Sequence, residues 1–324
     1  IKKATLLVIL FVAATTLGAD PELITRAERK DFAETSLYAD VINFVNSAVS
    51  RSPKLRAGAF GASAGGLDLP LVVVSAEGIA TPEEARLYDL PVVLLAANIH
   101  AGEVEGKEAL QILLRDVVEG ALDEVILNQV LLVVPIFNAD GNDKLGDNRG
   151  DDGPELAGIR YNGQNLDLNR DFIKLESPEA QALTHLVGRL RPIAFFDLHT
   201  TNGSSHGYDL TYSPSLSPNA TPLIDEYERQ VLFPAVRARL AERAGVHVYD
   251  YGNFGYERRR PGSRGDRGDP ISWSTYDSRP RFGTNLMGLR DTVSILSEAY
   301  SYLPYERRVN ATYAFVLECL RALA

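Results

Sequence analysis

The stretch 91-PVVLLAANIHAGEVEGKEALQILLRDVV-118 decides the predicted fold, because an apolar run changes there into a helical pattern. The run at residues 91–97 is short and apolar throughout, which predicts a buried strand. After Glu103, apolar residues recur at spacings of three and four up to about Val118, which predicts a helix with one buried face. A buried strand that leads directly into a helix is typical of α/β proteins.

The alternation of apolar runs and helical patterns continues along the chain. Further strands are predicted at 131–137, 193–196, 246–250 and 292–297, and further helices at 177–190 and 222–243. This order predicts one α/β domain over residues 20–324, with a sheet covered by helices on both faces. Two segments, 138–172 and 252–285, are rich in glycine and polar residues, and we predict long loops there, which in compact domains usually carry function.

The composition excludes one class of partner. The chain has 324 residues, of which 45% are hydrophobic and 23% are charged, as is typical of a globular protein. Its net charge of −10 and its pI near 5.1 would repel a phosphate backbone, so nucleic acid is not an expected partner. Cys319 is the only cysteine, so no intrachain disulfide forms, and its apolar helical context predicts a buried side chain.

The N-terminal residues have the pattern of an export signal. Lys2 and Lys3 precede an apolar run at residues 6–14, and small residues follow up to Ala19. We predict a secretory signal peptide over residues 1–19 rather than a membrane anchor, since the apolar run is shorter than the ~20 residues that span a bilayer. The expected protein is secreted or periplasmic, with no stable membrane insertion after the signal is removed.

Histidine and glutamate side chains follow the ends of predicted strands. His100 and Glu103 come just after the strand at 91–97, and His199 follows the strand at 193–196. Open α/β sheets bind their ligands at the carboxyl ends of strands. Two imidazoles and a carboxylate suit zinc, which in catalytic sites takes three protein ligands and keeps one open position. The alternative is that each histidine is a hydrogen-bonded structural residue.

Three further polar residues occupy similar places. Asn169 and Arg170 stand at the end of the first long loop, and Glu298 follows the run at 292–297. The donor fork of arginine matches a carboxylate, although a neighbouring aspartate offers Arg170 an alternative partner. A carboxylate at a buried strand end is costly unless hydrogen bonds or a metal-bound water use it, which favours Glu298 as a general base over a solvated residue.

In this order the residues resemble the zinc metallocarboxypeptidases of the carboxypeptidase A type. The resemblance covers about residues 90 to 305, and its motifs are His100-Ala-Gly-Glu103, Asn169-Arg170, His199 and Glu298. It implies an open mixed β-sheet and one Zn²⁺ held by the two histidines and Glu103. It also implies that Glu298 is the general base toward a metal-activated water. Asn169 and Arg170 are implied to hold the free C-terminal carboxylate of a peptide substrate.

Two family roles fall on residues of the long loops. The arginine that polarises the scissile carbonyl is expected before the Asn-Arg pair, and Arg149 fits this place better than Arg160 because it follows the "NADG" turn. The tyrosine that closes over the substrate precedes the general base by about two dozen residues, an interval that Tyr276 fits. Arg281 is an alternative residue for binding a carboxylate.

The predicted activity is hydrolysis of the C-terminal peptide bond of peptides. An acylase of the same fold, which removes an acyl group from an amino acid, is the nearest alternative because such relatives also carry a His-x-x-Glu pair. A binding module that keeps the fold without activity is the alternative from another class, although every catalytic residue type is present.

Overall fold

The computed structural model describes residues 23–81, 83–147, 152–201, 203–256 and 270–324. The predicted signal peptide at 1–19 and Arg149 lie outside these ranges. The expectation of an exported protein therefore stays a prediction. None of the described helices is both long and apolar enough to cross a membrane.

The centre of the fold is a mixed β-sheet. The described strands are β1 (Leu55–Ala62), β2 (Asp68–Val74), β3 (Val92–Ala97), β4 (Val130–Val134), β5 (Gly146–Asp147), β6 (Leu156–Ala157), β7 (Ala194–Thr201), β8 (Leu210–Ser213), β9 (Val248–Asp250), β10 (Asn253–Tyr256), β11 (Pro270–Ser274) and β12 (Val293–Tyr300). Eight of them form one sheet in the order β1-β2-β4-β3-β7-β12-β8-β9, and β5–β6 and β10–β11 form separate two-stranded ribbons. The strands β4, β3, β7 and β12 run parallel, while β2 and β8 join them antiparallel. The sheet is therefore open and mixed, as the resemblance implies.

Helices connect and cover the strands. They are α1 (Arg26–Arg29), α2 (Tyr38–Arg51), α3 (Glu105–Val118), α4 (Asp123–Ile126), α5 (Ala139–Asn142), α6 (Pro178–Leu190), α7 (Pro222–Tyr227), α8 (Phe233–Ala244), α9 (Gly283–Gly288) and α10 (Tyr305–Leu323). The predicted helix at 177–190 matches α6, whose N-cap Ser177 accepts the N–H of Ala180. The predicted helix at 222–243 is α7 and α8, joined by one π-helical stretch at Glu228–Leu232.

Alternate side chains of β3 enter two different cores, because successive residues of a strand point to opposite faces. Val93 and Leu95 pack with residues of α2, α3, α8 and α10. Val92 and Leu94 pack on the other face with residues of α6 and α9. Helices thus cover both faces of the sheet, which confirms the predicted α/β architecture. Cys319 is buried in the first of these cores.

The sequence patterns missed the 14-residue helix α2 and several elements that are short or near the edges of the sheet. They do not predict β1, β2 or β8. The segment 138–172 contains α5 and the ribbon β5–β6, and the segment 252–285 contains the ribbon β10–β11 and the start of α9. The prediction of continuous loops is wrong for these parts, because two-stranded ribbons and one-turn helices bury too few side chains to produce an apolar period.

Candidate metal centre

Three neighbouring parallel strands, β3, β7 and β12, bring four predicted site residues together at their carboxyl ends. His100 and Glu103 lie in the turn between β3 and α3. β7 and β12 are longer than the sequence indicates, so His199 and Glu298 lie inside them and are paired in register. All four residues therefore lie near the carboxyl ends of parallel strands, where open α/β sheets bind ligands.

The turn after β3 is shaped by its own residues. Asn98 has a φ of 63°, a left-handed conformation that asparagine tolerates, and its side-chain amide donates to the carbonyl of Ala101 at 3.2 Å. The N–H of Glu103 donates to the carbonyl of His100 at 2.9 Å. A Cβ on Gly102 would lie 2.6 Å from the carbonyl oxygen of Gly158, so the close approach of that loop requires glycine.

His100, Glu103 and His199, here called the metal cluster, converge on one point. His100 Nδ1 lies 2.9 Å from Glu103 Oε1, and His199 Nδ1 lies 2.8 Å from Glu103 Oε2. One ligand atom from each residue lies within 4.8 Å of the others, and all three residues are buried. Two nitrogen donors and one carboxylate in this space match the ligand set of a zinc site.

The outer nitrogens of both histidines face carboxylates. His100 Nε2 lies 3.1 Å from Asp167 Oδ1, and His199 Nε2 lies 2.8 Å from Asp197 Oδ1. The side-chain amide nitrogen of Asn169 lies 3.1 Å from the same nitrogen of His199. Partners of this kind fix the orientation of a ligating imidazole and direct its other nitrogen to the metal.

Two carboxylates of the site, Glu103 and Asp167, are held in their ionised form. Burial alone would raise the pKa of Glu103, but the imidazoles of His100 and His199 outweigh it and hold that pKa well below its usual value. Burial alone would lower the pKa of His199, but Asp197 and Glu103 hold it well above its usual value. The pKa of Asp167 is lowered against the effect of burial, chiefly by His100. These shifts describe a site whose negative charges favour a cation.

The metal cluster opens into a cleft of about 280 Å³. Asn169, Arg170, Tyr276 and Glu298 line this cleft together with the three residues of the cluster. The structure therefore brings together all the predicted site residues that lie within the described ranges. The remaining histidines lie elsewhere: His185 and His247 are exposed, and His206 stacks on Tyr300 with the ring centres 4.1 Å apart.

Arg170 is oriented by an aromatic ring and a carbonyl group. Its guanidinium lies 4.3 Å from the centre of the Phe282 ring, and its Nη1 donates to the carbonyl of Asn169 at 2.8 Å. The neighbouring aspartates have other partners, since Asp167 faces His100 and Asp171 accepts the N–H groups at the start of α6. Within the described chain neither aspartate forms a direct ion pair with Arg170, although the charge of Asp167 acts on it from a greater distance.

Two tyrosines, Tyr251 and Tyr276, place their rings 5.8 Å apart in the cleft. The negative charge of Glu298, followed by burial, raises the pKa of Tyr251. Burial, followed by the charge of Asp197, raises the pKa of Tyr276. Both hydroxyl groups therefore stay protonated and can donate hydrogen bonds inside the cleft.

The arginine expected to polarise a carbonyl has two candidates. Arg149 lies outside the described residues. Arg160, the second choice from the sequence, lines the cleft. Its Nη1 lies 3.2 Å from His100 Nδ1 and 3.5 Å from Glu103 Oε1. Its Nε donates to Asp167 Oδ2 at 2.8 Å, so Asp167 holds this guanidinium beside the metal cluster.

The sequence interpretation missed Asp167, Asp197 and Tyr251. A signal existed for Asp197, because a residue two positions before His199 in the same strand points to the same face. Asp167 similarly precedes the Asn-Arg pair by two positions, and a carboxylate close in sequence to a ligand or anchor is a candidate partner for a ligating histidine. No local pattern distinguishes Tyr251 from the other tyrosines.

Comparisons with known proteins give matches to a protein family and to solved structures. A family model described as zinc carboxypeptidase matches residues 41–307. No curated protein sequence matches the chain. Among solved structures, a metallo-carboxypeptidase from Burkholderia cenocepacia aligns with a TM-score of 0.60 and 16% identity, over 86% of this chain and 67% of that chain.

Two other solved structures show the same fold. A metallo-carboxypeptidase from Pseudomonas aeruginosa, in complex with (2-guanidinoethylmercapto)succinic acid, has a TM-score of 0.60 and 17% identity, over 90% of this chain and 70% of that chain. Carboxypeptidase A from Helicoverpa armigera has a TM-score of 0.62 and 14% identity, over 90% of this chain and 74% of that chain. The family model spans most of the chain, and the metal cluster has the ligand types that a zinc-dependent peptide hydrolase requires. The chain belongs to the zinc carboxypeptidase family.

Proposed function

We propose that the protein binds one zinc ion per chain and removes the C-terminal residue of peptides. The observation that supports this most is a single cleft lined by the metal cluster, by Glu298 and by Asn169 and Arg170. Such a cleft offers a metal, a base and a carboxylate anchor to one substrate. Peptides with a free C-terminal carboxylate are the substrate class that this combination fits.

Each residue of the cleft has a chemical role in this proposal. Bound zinc would polarise the scissile carbonyl and lower the pKa of a water molecule. Glu298, half-buried and paired in register with His199, takes the proton of the attacking water at its carboxylate and passes it to the leaving amine. Arg160 stabilises the negative charge that develops on the carbonyl oxygen, because its guanidinium lies beside the metal cluster. Arg149 stays the candidate from sequence for this last role.

Arg170 and Asn169 differ in how much donor capacity they have for a substrate carboxylate. The amide of Asn169 already contacts His199, and its Oδ1 accepts the N–H of Gly283 at 2.9 Å. Arg170 uses one nitrogen on the Asn169 carbonyl and keeps further donors for the cleft. Arg170 is therefore the main anchor in the proposal, and Asn169 adds a single donor. Tyr276 closes the cleft over the bound substrate.

The test compares matched peptides with a free or an amidated C-terminus. A full negative charge with two oxygens suits the guanidinium fork, whereas an amide presents one neutral oxygen and N–H donors that face the arginine. The wild-type enzyme should release the terminal amino acid from the free acid and cleave the amide much more slowly. Equal cleavage of both peptides, or cutting of internal bonds at similar rates, would reject the carboxylate-anchor role.

Arg170→Ala and Arg281→Ala form a matched pair for this test. Both guanidiniums lie over the Phe282 ring, at 4.3 and 5.0 Å, and both line a neighbouring cavity, but of the two only Arg170 lines the cleft of the metal cluster. Arg170→Ala should reduce the difference in cleavage rate between the free-acid and the amidated peptide. Arg281→Ala should leave that difference unchanged. The reverse pattern would assign the carboxylate to Arg281.

Faster release from an N-acyl amino acid than from a peptide would identify an acylase, and no turnover of either by the zinc-loaded protein would identify a binding module.

A further inference from the structure

A buried ion pair lies close behind the metal cluster. Glu105 Oε1 lies 2.5 Å from Arg308 Nη1, and both side chains are 1% exposed. The two residues are far apart in sequence, in the first turn of α3 and near the start of α10. Removing two charges from water is favourable only when the remaining donors and acceptors are also bonded, so the other contacts of this pair are informative.

The pair uses its remaining atoms to join separate segments of the chain. Glu105 Oε2 accepts the hydroxyl group of Thr200, at the end of β7. Arg308 Nη2 donates to the carbonyl groups of Gly153 and Asp152. The Glu105 carboxylate therefore connects the start of α3 with β7. Arg308 in turn connects this carboxylate with α10 and with the segment at 152–153.

Thr200 connects the ion pair to two metal ligands. It directly follows His199 in β7, and its backbone N–H donates to Glu103 Oε2 at 3.2 Å. That same oxygen lies 2.8 Å from His199 Nδ1. A rotation of Thr200 would therefore change both the hydrogen bond to one ligand and the position of the other.

We infer that Glu105, held by Arg308, is a positioning residue for the metal centre and acts through Thr200. The bond from the Thr200 hydroxyl group to Glu105 fixes the Thr200 peptide so that its N–H restrains the Glu103 carboxylate. His199 and Glu103 then keep the spacing that a metal ion needs before the ion arrives, which favours binding. This inference rests on the zinc site of the proposed function.

Glu108 provides a matched control on the same helix. It is fully buried like Glu105, and its carboxylate accepts the hydroxyl groups of Thr35 and Ser36 and the N–H of Ser36. None of these partners belongs to the metal cluster or to the residues that line its cleft. A glutamine at either position removes one buried charge from α3, so both variants should unfold at lower urea concentrations than wild type.

The experiment measures zinc affinity by competition with a chelator of known affinity, in variants that are still folded. E105Q should weaken zinc binding by about 10- to 100-fold, the range expected when an outer partner of a metal ligand is lost. E108Q should keep the wild-type affinity. Equal loss of affinity in E105Q and E108Q would show that zinc binding only follows the stability of the fold, and would overturn the inference.

Substitutions of Thr200 test the same connection from the other side. T200V removes the hydroxyl group and should weaken zinc binding as E105Q does. T200S keeps the hydroxyl group and should have the zinc affinity of wild type. The double variant E105Q/T200V should bind zinc no more weakly than the single variant with the lower affinity. Both substitutions remove the same hydrogen bond, so their effects should not add. Wild-type zinc affinity in T200V would overturn the inference. If E105Q does not fold, the comparison of T200V with T200S decides the question. A wild-type protein that binds no zinc would instead reject the proposed function itself.

Discussion

Two buried polar clusters lie near the start of α3, and they differ in how their polar atoms are arranged. The first is the metal cluster of His100, Glu103 and His199. The second, here called the lysine cluster, consists of Lys107, Glu108, Ser36 and Asn142. Lys107 Nζ donates to the carbonyl of Ser36 at 2.5 Å and to Asn142 Oδ1 at 2.6 Å.

The lysine cluster contains its own cation and satisfies its own hydrogen bonds. Burial lowers the pKa of Lys107 to about 8, against the opposing effect of Glu108. The metal cluster instead points two imidazole nitrogens and two carboxylate oxygens at one another, an arrangement that a metal ion stabilises. The comparison indicates that a lysine bonded to its own acceptors stabilises the fold, whereas converging ligand atoms mark a site for an external cation.

The largest expected effect is on stability, in Lys107→Met. The substitution leaves the carbonyl of Ser36, Asn142 Oδ1 and the nearby Glu108 without the ammonium group, and loss of one partner from a buried ionic group costs about 3–5 kcal/mol. Urea unfolding should show this loss, and the folded variant should retain its zinc. Loss of zinc without loss of stability would break the distinction between the two clusters.

The next effect is on catalysis, in Glu298→Gln. This variant keeps the metal cluster and the shape of the cleft but cannot accept a proton, so turnover should fall by roughly a hundredfold or more. That factor corresponds to about 2.7 kcal/mol of activation free energy. Zinc content and urea unfolding should stay near those of wild type. A variant with near-normal turnover would place the base at another residue.

The smallest expected effect is on the pH dependence of stability. It concerns Glu228, a buried carboxyl group that belongs to neither cluster. Glu228 accepts the N–H of Ser294 at 2.6 Å, and burial raises its pKa to about 8. A raised pKa means that its contribution to stability is complete below about pH 4.5 and is lost as pH rises through 8. Between pH 5 and pH 6.5 the free energy of unfolding of wild type should therefore fall by about 2 kcal/mol more than that of Glu228→Gln. Identical pH dependence in the two proteins would show that Glu228 is ionised in the folded state.

The sequence predicted the parts of the site that are tied to strong local patterns. The apolar run at 91–97 and the helical period after Glu103 locate the turn that holds His100 and Glu103. Their convergence with His199 follows from the parallel pairing of β3 and β7, which is a general property of α/β sheets. Local pattern and strand order therefore account for the metal cluster.

Other features depend on contacts that no local pattern records. Arg149 and Arg160 lie in one segment without an apolar period, and only the fold shows that Arg160 is held beside His100 by Asp167. Glu105 has the appearance of an ordinary acidic residue in the first turn of a helix. Its partner Arg308 is 203 residues away, so their pairing could not be predicted.

The zinc content of the purified protein tests the central claim most directly. Elemental analysis of wild type should give one zinc per folded chain, and His100→Ala and His199→Ala should each lose stoichiometric zinc while remaining folded. Lys107→Met, where it folds, should bind zinc as wild type does. Wild-type protein without zinc, or full zinc occupancy in both histidine variants, would contradict the assignment of His100, Glu103 and His199 as the metal centre.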